Sequence, residues 1–195
     1  MVSITNQNKE TALKVLTTAF GNIPGVLWVV KKDRHIQKRI YVLCKFCLTV
    51  AMQKKGAFIT SDSKGVALLF KSWYKQNPLQ FLAGYFRLGQ YCIGWSRAIS
   101  IIKREHEITK RRPKHKHLYF WMIGVEDHSY GLQTIIELRD FVFDYSRKEQ
   151  LPIYAETTVE KMLTLYKRYG FHVYDEWDTG KDGIKVYFIY RNWDA

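Results

Sequence analysis

The first half of the chain places apolar residues three and four positions apart, a spacing typical of helices. Gly21 and Pro24 end the first such pattern, and Gly56 separates the second from a run of strand-forming residues. The sequence Ser-Asp-Ser-Lys-Gly then predicts a tight turn between two strands. The predicted elements are helices over 9–20, 33–54 and about 77–107, the last interrupted near Gly89 or Gly94, and a hairpin with strands 57–61 and 66–71.

The second half alternates strands with helices. Its most strand-like run is 117–125, and the basic stretch 103–117 before it is expected to be a polar connector. Thr157 and Glu160 match the capping box at the start of a short helix. The predicted order is a strand over 117–125, a helix through 135–145, a strand over 153–157, a helix over 159–168 and strands near 171–178 and 184–191. The sequence thus predicts one α/β domain, residues 1–195, with a mixed sheet covered by helices on both faces.

Composition adds a strong positive charge. The 195 residues are 47% hydrophobic, which excludes a disordered tail, and their formal net charge is +13. Such an excess attracts polyanions, so nucleic acid, an anionic membrane or a phosphorylated ligand is compatible with it. The start of the chain lacks the features of a signal peptide, and Arg87 and Arg97 interrupt the longest apolar region. We therefore expect a cytoplasmic protein with no membrane partner.

The cysteines and histidines predict neither disulfides nor a metal site. Cys44 and Cys47 are spaced as C-x-x-C, but they lie in an apolar helical run where cysteine packs as a small hydrophobe. Cys92 is the third cysteine, and the odd count is unsuited to a disulfide framework. His115 and His117 lack a third ligand at a convincing spacing.

The first candidate for a functional site is the turn that connects the strand 117–125 to the next helix. Backbone N–H groups at such a helix start attract phosphate, although every strand-to-helix turn shares this property. Tyr166, on the short helix after the next strand, is the second candidate. Its hydroxyl is suited either to general acid catalysis or to a satisfied, half-buried position.

Several short motifs occur at fixed spacing in this half: Gly124-Val125, Leu151-Pro152, Glu156-Thr157, Tyr166-Lys167-Arg168 and Gly170-Phe171. Together they resemble the acetyl-CoA-binding half of the GNAT acyltransferase superfamily, in the branch of puromycin N-acetyltransferase-like enzymes. The resemblance implies a GNAT-like mixed twisted sheet with a helical insert before the central strand. It also implies transfer of an acetyl group from acetyl-CoA to a primary amine, by direct attack on the thioester.

The resemblance assigns roles residue by residue. Tyr166 would protonate the departing thiolate, and Glu156 would be the base, with Glu126, Asp127 and His128 in reserve. An alternative role for Glu156 is to order the loop or cap the helix. The residues implied in cofactor binding are Ile123, Gly124 and Val125 for the pantetheine arm, Tyr130, Gly131, Leu132, Gln133, Thr134 and Ile135 for the pyrophosphate, and Met162.

The chain departs from the family pattern in the pyrophosphate loop. Gln133 and Ile135 replace small residues, and Met162 replaces an asparagine. Glycines in such loops let the backbone approach phosphates closely. These departures leave two alternatives open: an enzyme with a different acyl carrier, and an inactive module of the same fold that holds nucleic acid or another anion on its basic surface.

The acceptor is expected to be a small molecule or a peptide, and a homodimer is compatible with the sequence. The basic run 110–116 is either a solvated connector or a contact for the CoA 3′-phosphate, an acidic acceptor or RNA. Aromatic residues of the helical insert contribute either to the core or to an acceptor pocket. They are Trp73, Tyr74, Tyr85, Phe86, Tyr91 and Trp95.

Overall fold

The computed structural model describes residues 1–75, 77–126, 132–180 and 184–195. The helices of these ranges are α1 (Lys9–Phe20), α2 (Pro24–Val29), α3 (Ile36–Gln53), α4 (Pro78–Leu88), α5 (Trp95–Arg111), α6 (Leu132–Glu149) and α7 (Leu163–Arg168). A π-helical turn, Gly89–Ile93, joins α4 to α5, and a 3-10 turn, Glu160–Met162, precedes α7. The strands are β1 (Val2–Ser3), β2 (Ala57–Ile59), β3 (Gly65–Lys71), β4 (Leu118–Val125), β5 (Ile153–Thr157), β6 (His172–Asp178) and β7 (Lys185–Arg191).

The described strands form one mixed sheet of seven strands, in the order β1-β2-β3-β4-β5-β7-β6. β4 and β5 pair in parallel, and the other neighbouring pairs are antiparallel. The chain segment between β4 and β5 contains α6, as a parallel connection requires. The predicted mixed α/β sheet with helices on both faces is confirmed.

Alternating residues of the central strands build two cores. On one face, the α1/α3 face, Leu68 of β3 and Tyr119 of β4 pack in one cluster with residues of α1 and α3. On the other, the α6/α7 face, Leu69 and Phe120 pack with Leu138 of α6. Because both faces of β3 and β4 are buried, these strands are apolar throughout rather than alternating.

The structure corrects the prediction that residues 103–117 form a connector. α5 continues through this basic stretch to Arg111. Ile101 and Ile108, two helical turns apart, are both buried, and Ile108 packs against β7. The connector is confined to residues 112–117.

One local prediction in the loops fails, and another needs an addition. Thr157 Oγ1 accepts a hydrogen bond from the N–H of Val159 at 3.2 Å while Thr157 itself remains in β5. The following 3-10 turn begins at Glu160 without a side-chain cap, so the capping box is wrong. Pro24 follows the end of α1 but also begins α2, since a proline at the first helical position lacks only an N–H that would have no helical partner.

The prediction that the cysteines pack in the core is confirmed. Cys44, Cys47 and Cys92 are buried and free. Burial raises the pKa of Cys44 to about 11 and that of Cys92 to about 12. At neutral pH these thiols are therefore protonated packing groups and not nucleophiles.

We expect Gly124→Ala to lower the free energy of unfolding by about 1–3 kcal/mol, since overpacking forces backbone shifts. A Cβ at Gly124 would lie 2.6 Å from Cβ of Ala19, so α1 would have to move away from β4. Gly21→Ala is the matched control, because its Cβ would meet only ordinary contacts of 3.4 and 3.5 Å. Chemical denaturation measures both variants, and equal stability of the two would contradict the close approach of α1 to β4.

Candidate active site

The parallel strands β4 and β5 pair over only part of their length. Leu118, Tyr119 and Phe120 of β4 lie opposite residues 153–155 of β5, and the pairing ends there. β4 continues to Val125 with β3 as its neighbour, whereas the end of β5 stays paired with β7. The two strands therefore part at their carboxyl ends, and no strand of the described ranges pairs with the β5-facing edge of β4 beyond Phe120.

A β-bulge lies where the strands separate. Leu68 of β3 pairs with Met122 and Leu69 pairs with Phe120, so Trp121 is an extra residue in β4. A bulge bends its strand and increases the local twist. Trp121 packs edge-on against Phe70, with ring centroids 5.9 Å apart. The bulge thus supplies a physical reason for β4 to leave β5, and it opens a cleft lined by backbone polar groups.

The predicted pantetheine contacts lie on the edge of this cleft. Ile123 and Val125 direct their side chains to the α6/α7 face, and Gly124 lies beneath α1. Their backbone groups on the β5 side are available to a ligand, since only β3 pairs with this part of β4. The structure brings these residues together, and their ligand contacts stay a prediction.

The predicted pyrophosphate loop is described only in part. Tyr130 and Gly131 lie outside the described residues, as do the reserve bases Asp127 and His128. The remaining residues form the first turn of α6: Leu132, Gln133 and Ile135 are exposed, and Thr134 is buried. The exposed side chains at 133 and 135 point to solvent, and the turn's backbone N–H groups lack helical partners.

Thr134 has a structural role that the sequence did not indicate. Its hydroxyl donates to Asp62 Oδ2 at 2.5 Å, and Thr60 donates to Asp62 Oδ1 at 2.6 Å. Partial burial alone would raise the pKa of Asp62, but the hydrogen bonds from Thr134 and Thr60 lower it. This network fastens the β2–β3 turn to the first described turn of α6.

Glu156 lies just past the point where β4 and β5 part, in a polar cluster on the α1/α3 face. Arg112 Nε donates to Glu156 Oε1 at 2.8 Å, and the Tyr119 hydroxyl donates to Glu156 Oε2 at 2.5 Å. Arg112 also donates to the Tyr119 oxygen at 2.6 Å, with its guanidinium 4.2 Å from the ring centroid. Both carboxylate oxygens of Glu156 therefore accept hydrogen bonds. These bonds hold the side chain in place, and any proton that Glu156 accepts during a reaction has to compete with the two donors.

The environment keeps Tyr119 and Arg112 of this cluster in their usual protonated states. Burial raises the pKa of Tyr119 well above its usual value, and Glu156 adds to this shift. Burial would lower the pKa of Arg112, but Tyr119 and Glu156 raise it. At neutral pH the tyrosine is thus neutral and the arginine is charged. The sequence does not indicate Arg112 and Tyr119 as residues of the site. Arg112 lies in a connector and Tyr119 in an apolar strand, and no sequence pattern relates the two.

Tyr166 is half-buried on α7, and its ring packs edge-on against Phe171 at 5.5 Å on the α6/α7 face. The same apolar cluster contains Ile123 and Val125 of the cleft edge. Burial raises the pKa of Tyr166, so its hydroxyl remains protonated at neutral pH. Met162, the last residue of the 3-10 turn, precedes α7 and offers no side-chain cap.

A hollow of about 210 Å³ lies beyond the carboxyl end of β5. Its lining is partly polar and comprises Pro24, Thr158, Glu160, Ile184, Lys185 and Tyr187. The Gly25 N–H donates to Thr158 Oγ1 at 3.2 Å, which ties α2 to the loop after β5. A larger depression, about 440 Å³, lies between α7 and β6 around Leu163 and Val173.

Two features bear on the predictions about a metal ion and a membrane: the surroundings of His115 and His117, and the character of the described helices. His117 is buried with Nδ1 2.8 Å from the His115 carbonyl oxygen, and burial lowers its pKa. Both histidine rings pack against Tyr154. Among the described residues no cluster of His, Cys, Asp and Glu is suited to a metal ion. None of the helices in those ranges combines the length and apolar character needed to cross a bilayer.

No protein-family model matches the chain. Its fold is similar to that of the Corynebacterium glutamicum histone acetyltransferase HPA2 and related acetyltransferase, with 18% identity, a TM-score of 0.67 and coverage of 98% of this chain and 94% of that one. Arylalkylamine N-acetyltransferase 2 from Aedes aegypti gives 12% identity and a TM-score of 0.66, with 98% and 97% covered. A chain of the NatC complex bound to Gag peptide and CoA gives 15% identity and a TM-score of 0.53, with 98% and 96% covered.

At these identities the similarity establishes the fold. The GNAT-like sheet predicted from the sequence is confirmed, including helices on both faces and a helical insert before the central strand. The insert is the α4–α5 segment, which precedes β4.

We expect Arg112→Ala to lower the free energy of unfolding by about 2–3 kcal/mol, because it leaves the Glu156 carboxylate without its cation. The two side chains are only 25% and 15% exposed. Arg147→Ala is the control, since its pair with Asp144 is 59% and 68% exposed and should contribute less than about 1 kcal/mol. Urea unfolding measures both.

Combining Arg112→Ala with Glu156→Gln should restore part of the lost stability, because the second change removes the unpaired charge. Losses of equal size in Arg112→Ala and Arg147→Ala would show that the cluster does not depend on this ion pair.

Proposed function

We propose that this protein is an N-acetyltransferase that transfers an acetyl group from acetyl-CoA to the primary amine of a small molecule or peptide. The observation on which the proposal rests is the parting of β4 and β5 at the Trp121 bulge, in a fold shared with solved N-acetyltransferases. A cleft between parallel strands, edged by unpaired backbone groups, is suited to an extended, amide-containing arm.

The donor would lie across the cleft. Backbone groups of Ile123, Gly124 and Val125 would hydrogen-bond the pantetheine amides, and the first turn of α6 with residues 130 and 131 would hold the pyrophosphate. Because Gln133 and Ile135 are exposed, their side chains leave the backbone N–H groups accessible. The positive charge of the chain favours a polyanionic donor. The structural neighbour NatC is a complex with CoA.

The reaction would proceed by direct attack. The neutral amine adds to the thioester carbonyl, the carbon–sulfur bond breaks, and the thiolate takes the proton of the Tyr166 hydroxyl. The raised pKa of Tyr166 keeps that proton in place until the thiolate forms. The proton of the amine passes to Glu156, directly or through water, in competition with Arg112 and Tyr119. The products are the acetylated amine and CoA.

The hollow beyond β5 supports a compact acceptor. Glu160 at its rim offers a carboxylate to an ammonium group, and its volume suits a small amine or the terminus of a peptide. The structural neighbours include an arylalkylamine N-acetyltransferase and a complex with a peptide. The acetyl-CoA requirement and the buried free cysteines are compatible with a cytoplasmic location.

A second candidate function is a binding module of this fold that lacks transfer activity. The observation that favours it is the engagement of both Glu156 oxygens. This alternative predicts anion binding without release of thiol from acetyl-CoA.

Calorimetric titration with acetyl-CoA tests the donor site. We expect binding in the micromolar range, with tighter binding in Gln133→Gly, because glycine lets the backbone approach the phosphates more closely. Absence of heat in the wild type together with binding in Gln133→Gly would mean that the loop blocks the site and would favour the binding module.

We expect Tyr166→Phe to reduce kcat about 100-fold or more, because proton transfer to the leaving group is lost. The acetyl-CoA Kd should change by less than about twofold, since the ring is retained. Tyr169→Phe is the control: it lies three residues away on the α6/α7 face, with its ring against Phe143. Thiol release measures both variants over a range of amines.

The pH dependence of the reaction rate distinguishes a Tyr166 that acts as a general acid from a Tyr166 that only packs. Burial raises the pKa of Tyr166, so the wild-type rate should fall only above the ordinary tyrosine value of about 10. Tyr166→Phe should lack this alkaline decline. Full activity in Tyr166→Phe would remove the tyrosine from the mechanism.

A further inference from the structure

The helical insert exposes an unusual amount of aliphatic surface. Leu79 and Leu82 of α4 are 77% and 69% exposed, and Ile99 and Ile102 of α5 are 67% and 60% exposed. Tyr91 in the turn between the helices is 55% exposed. Large apolar surfaces on soluble domains mark contact sites. These five exposed residues are together called the apolar patch below, a name that refers to their exposure on α4, on α5 and in the turn between them.

The sequence of α4 is apolar on every side. Leu82 lies three residues after Leu79 on the exposed face, whereas Leu88 is buried and a Cβ at Gly84 would lie 2.7 Å from the Phe46 ring. One side of the helix therefore packs on α3, and the opposite side is equally apolar. A helix of this kind is stable only when both sides are removed from water.

The charged residues in the segment that contains the patch are all basic. Between Asp62 and Glu105 the chain has no acidic residue, and it has seven lysines and arginines. Lys75, Arg87 and Lys103 are exposed and lie close to patch residues along the chain, and none of them forms an ion pair with a described residue. The complementary partner combines negative charge with an apolar interior.

We propose that α4 and α5 bind the surface of an anionic lipid bilayer, with the apolar patch in the interface and the basic residues at the headgroups. Helices with these two features lie in the plane of the interface and need no membrane-spanning segment. The proposal departs from the expectation of no membrane partner, which rested on the lack of a signal peptide and of a spanning segment, and it requires no membrane-spanning helix among the described residues.

Other occupants fit the surface less well. A second copy of the chain would place two basic segments against each other, which opposes association. Nucleic acid would satisfy the charge, but four of the five patch residues are leucine or isoleucine, whose side chains have no stacking face to offer to bases, and only Tyr91 has one. The proposal is independent of acetyl transfer and survives if that activity is absent.

Cosedimentation with vesicles tests the proposal. We expect the full chain to bind vesicles of phosphatidylcholine and phosphatidylserine at about 7:3 at least tenfold more tightly than pure phosphatidylcholine, with weaker binding at high salt. Leu82→Glu should weaken binding about tenfold or more, because it places a charge in the interface. Val2→Gln is the control, since Val2 is 56% exposed but lies on β1, outside the insert.

A triple substitution of Lys75, Arg87 and Lys103 by glutamine tests the charge separately. It should abolish the preference for phosphatidylserine, and circular dichroism should show unchanged helix content in both variants. Equal binding to the two vesicle types, or wild-type binding by Leu82→Glu, overturns the proposal. Self-association that Leu82→Glu abolishes, without vesicle binding, assigns the patch to a second copy. Binding of polyglutamate in place of vesicles assigns it to an acidic protein.

Discussion

One additional residue in β4 determines how β4 and β5, the strands at the centre of the candidate site, are arranged. Because Trp121 has no counterpart in β3, β4 must bend while it remains paired with β3 on one side. The strand cannot then follow β5, whose end is held by β7. The cleft is the result, and it opens at the carboxyl ends of two parallel strands, where ligands commonly bind in sheets of this kind.

Packing on the two faces of the sheet limits what can lie on either side of β4. On one side α1 approaches so closely that only glycine fits at position 124. On the other, Ile123 and Val125 share an apolar cluster with Tyr166, so the strand edge and the proposed acid belong to one packed unit. Just past the point of parting, the cluster of Arg112, Tyr119 and Glu156 orders the carboxylate. The cleft is therefore bounded by packed and hydrogen-bonded residues, an arrangement suited to the preorganised chemistry of the proposed reaction.

The sequence predicted those elements whose ends are marked by local residues. The bounds of α1 and β5 agree with the structure, since Gly21 follows the first and Leu151-Pro152 precedes the second. α5 was cut short because basic residues around Ile101 and Ile108 concealed the apolar period. The sequence did not predict the bulge at Trp121. A bulge can be recognised where the alternation of apolar and polar residues is broken, and a strand that is apolar on both faces has no such alternation. The pairing of Arg112 with Glu156 depends on tertiary structure alone.

The charge of the chain has more than one physical role. Several basic residues are already neutralised locally, as Arg112 is by Glu156 and Lys71 is by Glu149 at 2.6 Å. Part of the remaining positive charge lies in or just before the insert, where Lys75, Arg87 and Lys103 are exposed in a segment that also exposes aliphatic side chains. Attraction of a soluble polyanion requires only the cations. It does not explain the exposed leucine and isoleucine side chains, because exposing these side chains to water opposes folding and solubility. The combination is explained when the same partner accepts both kinds of side chain, and a bilayer with anionic headgroups is such a partner.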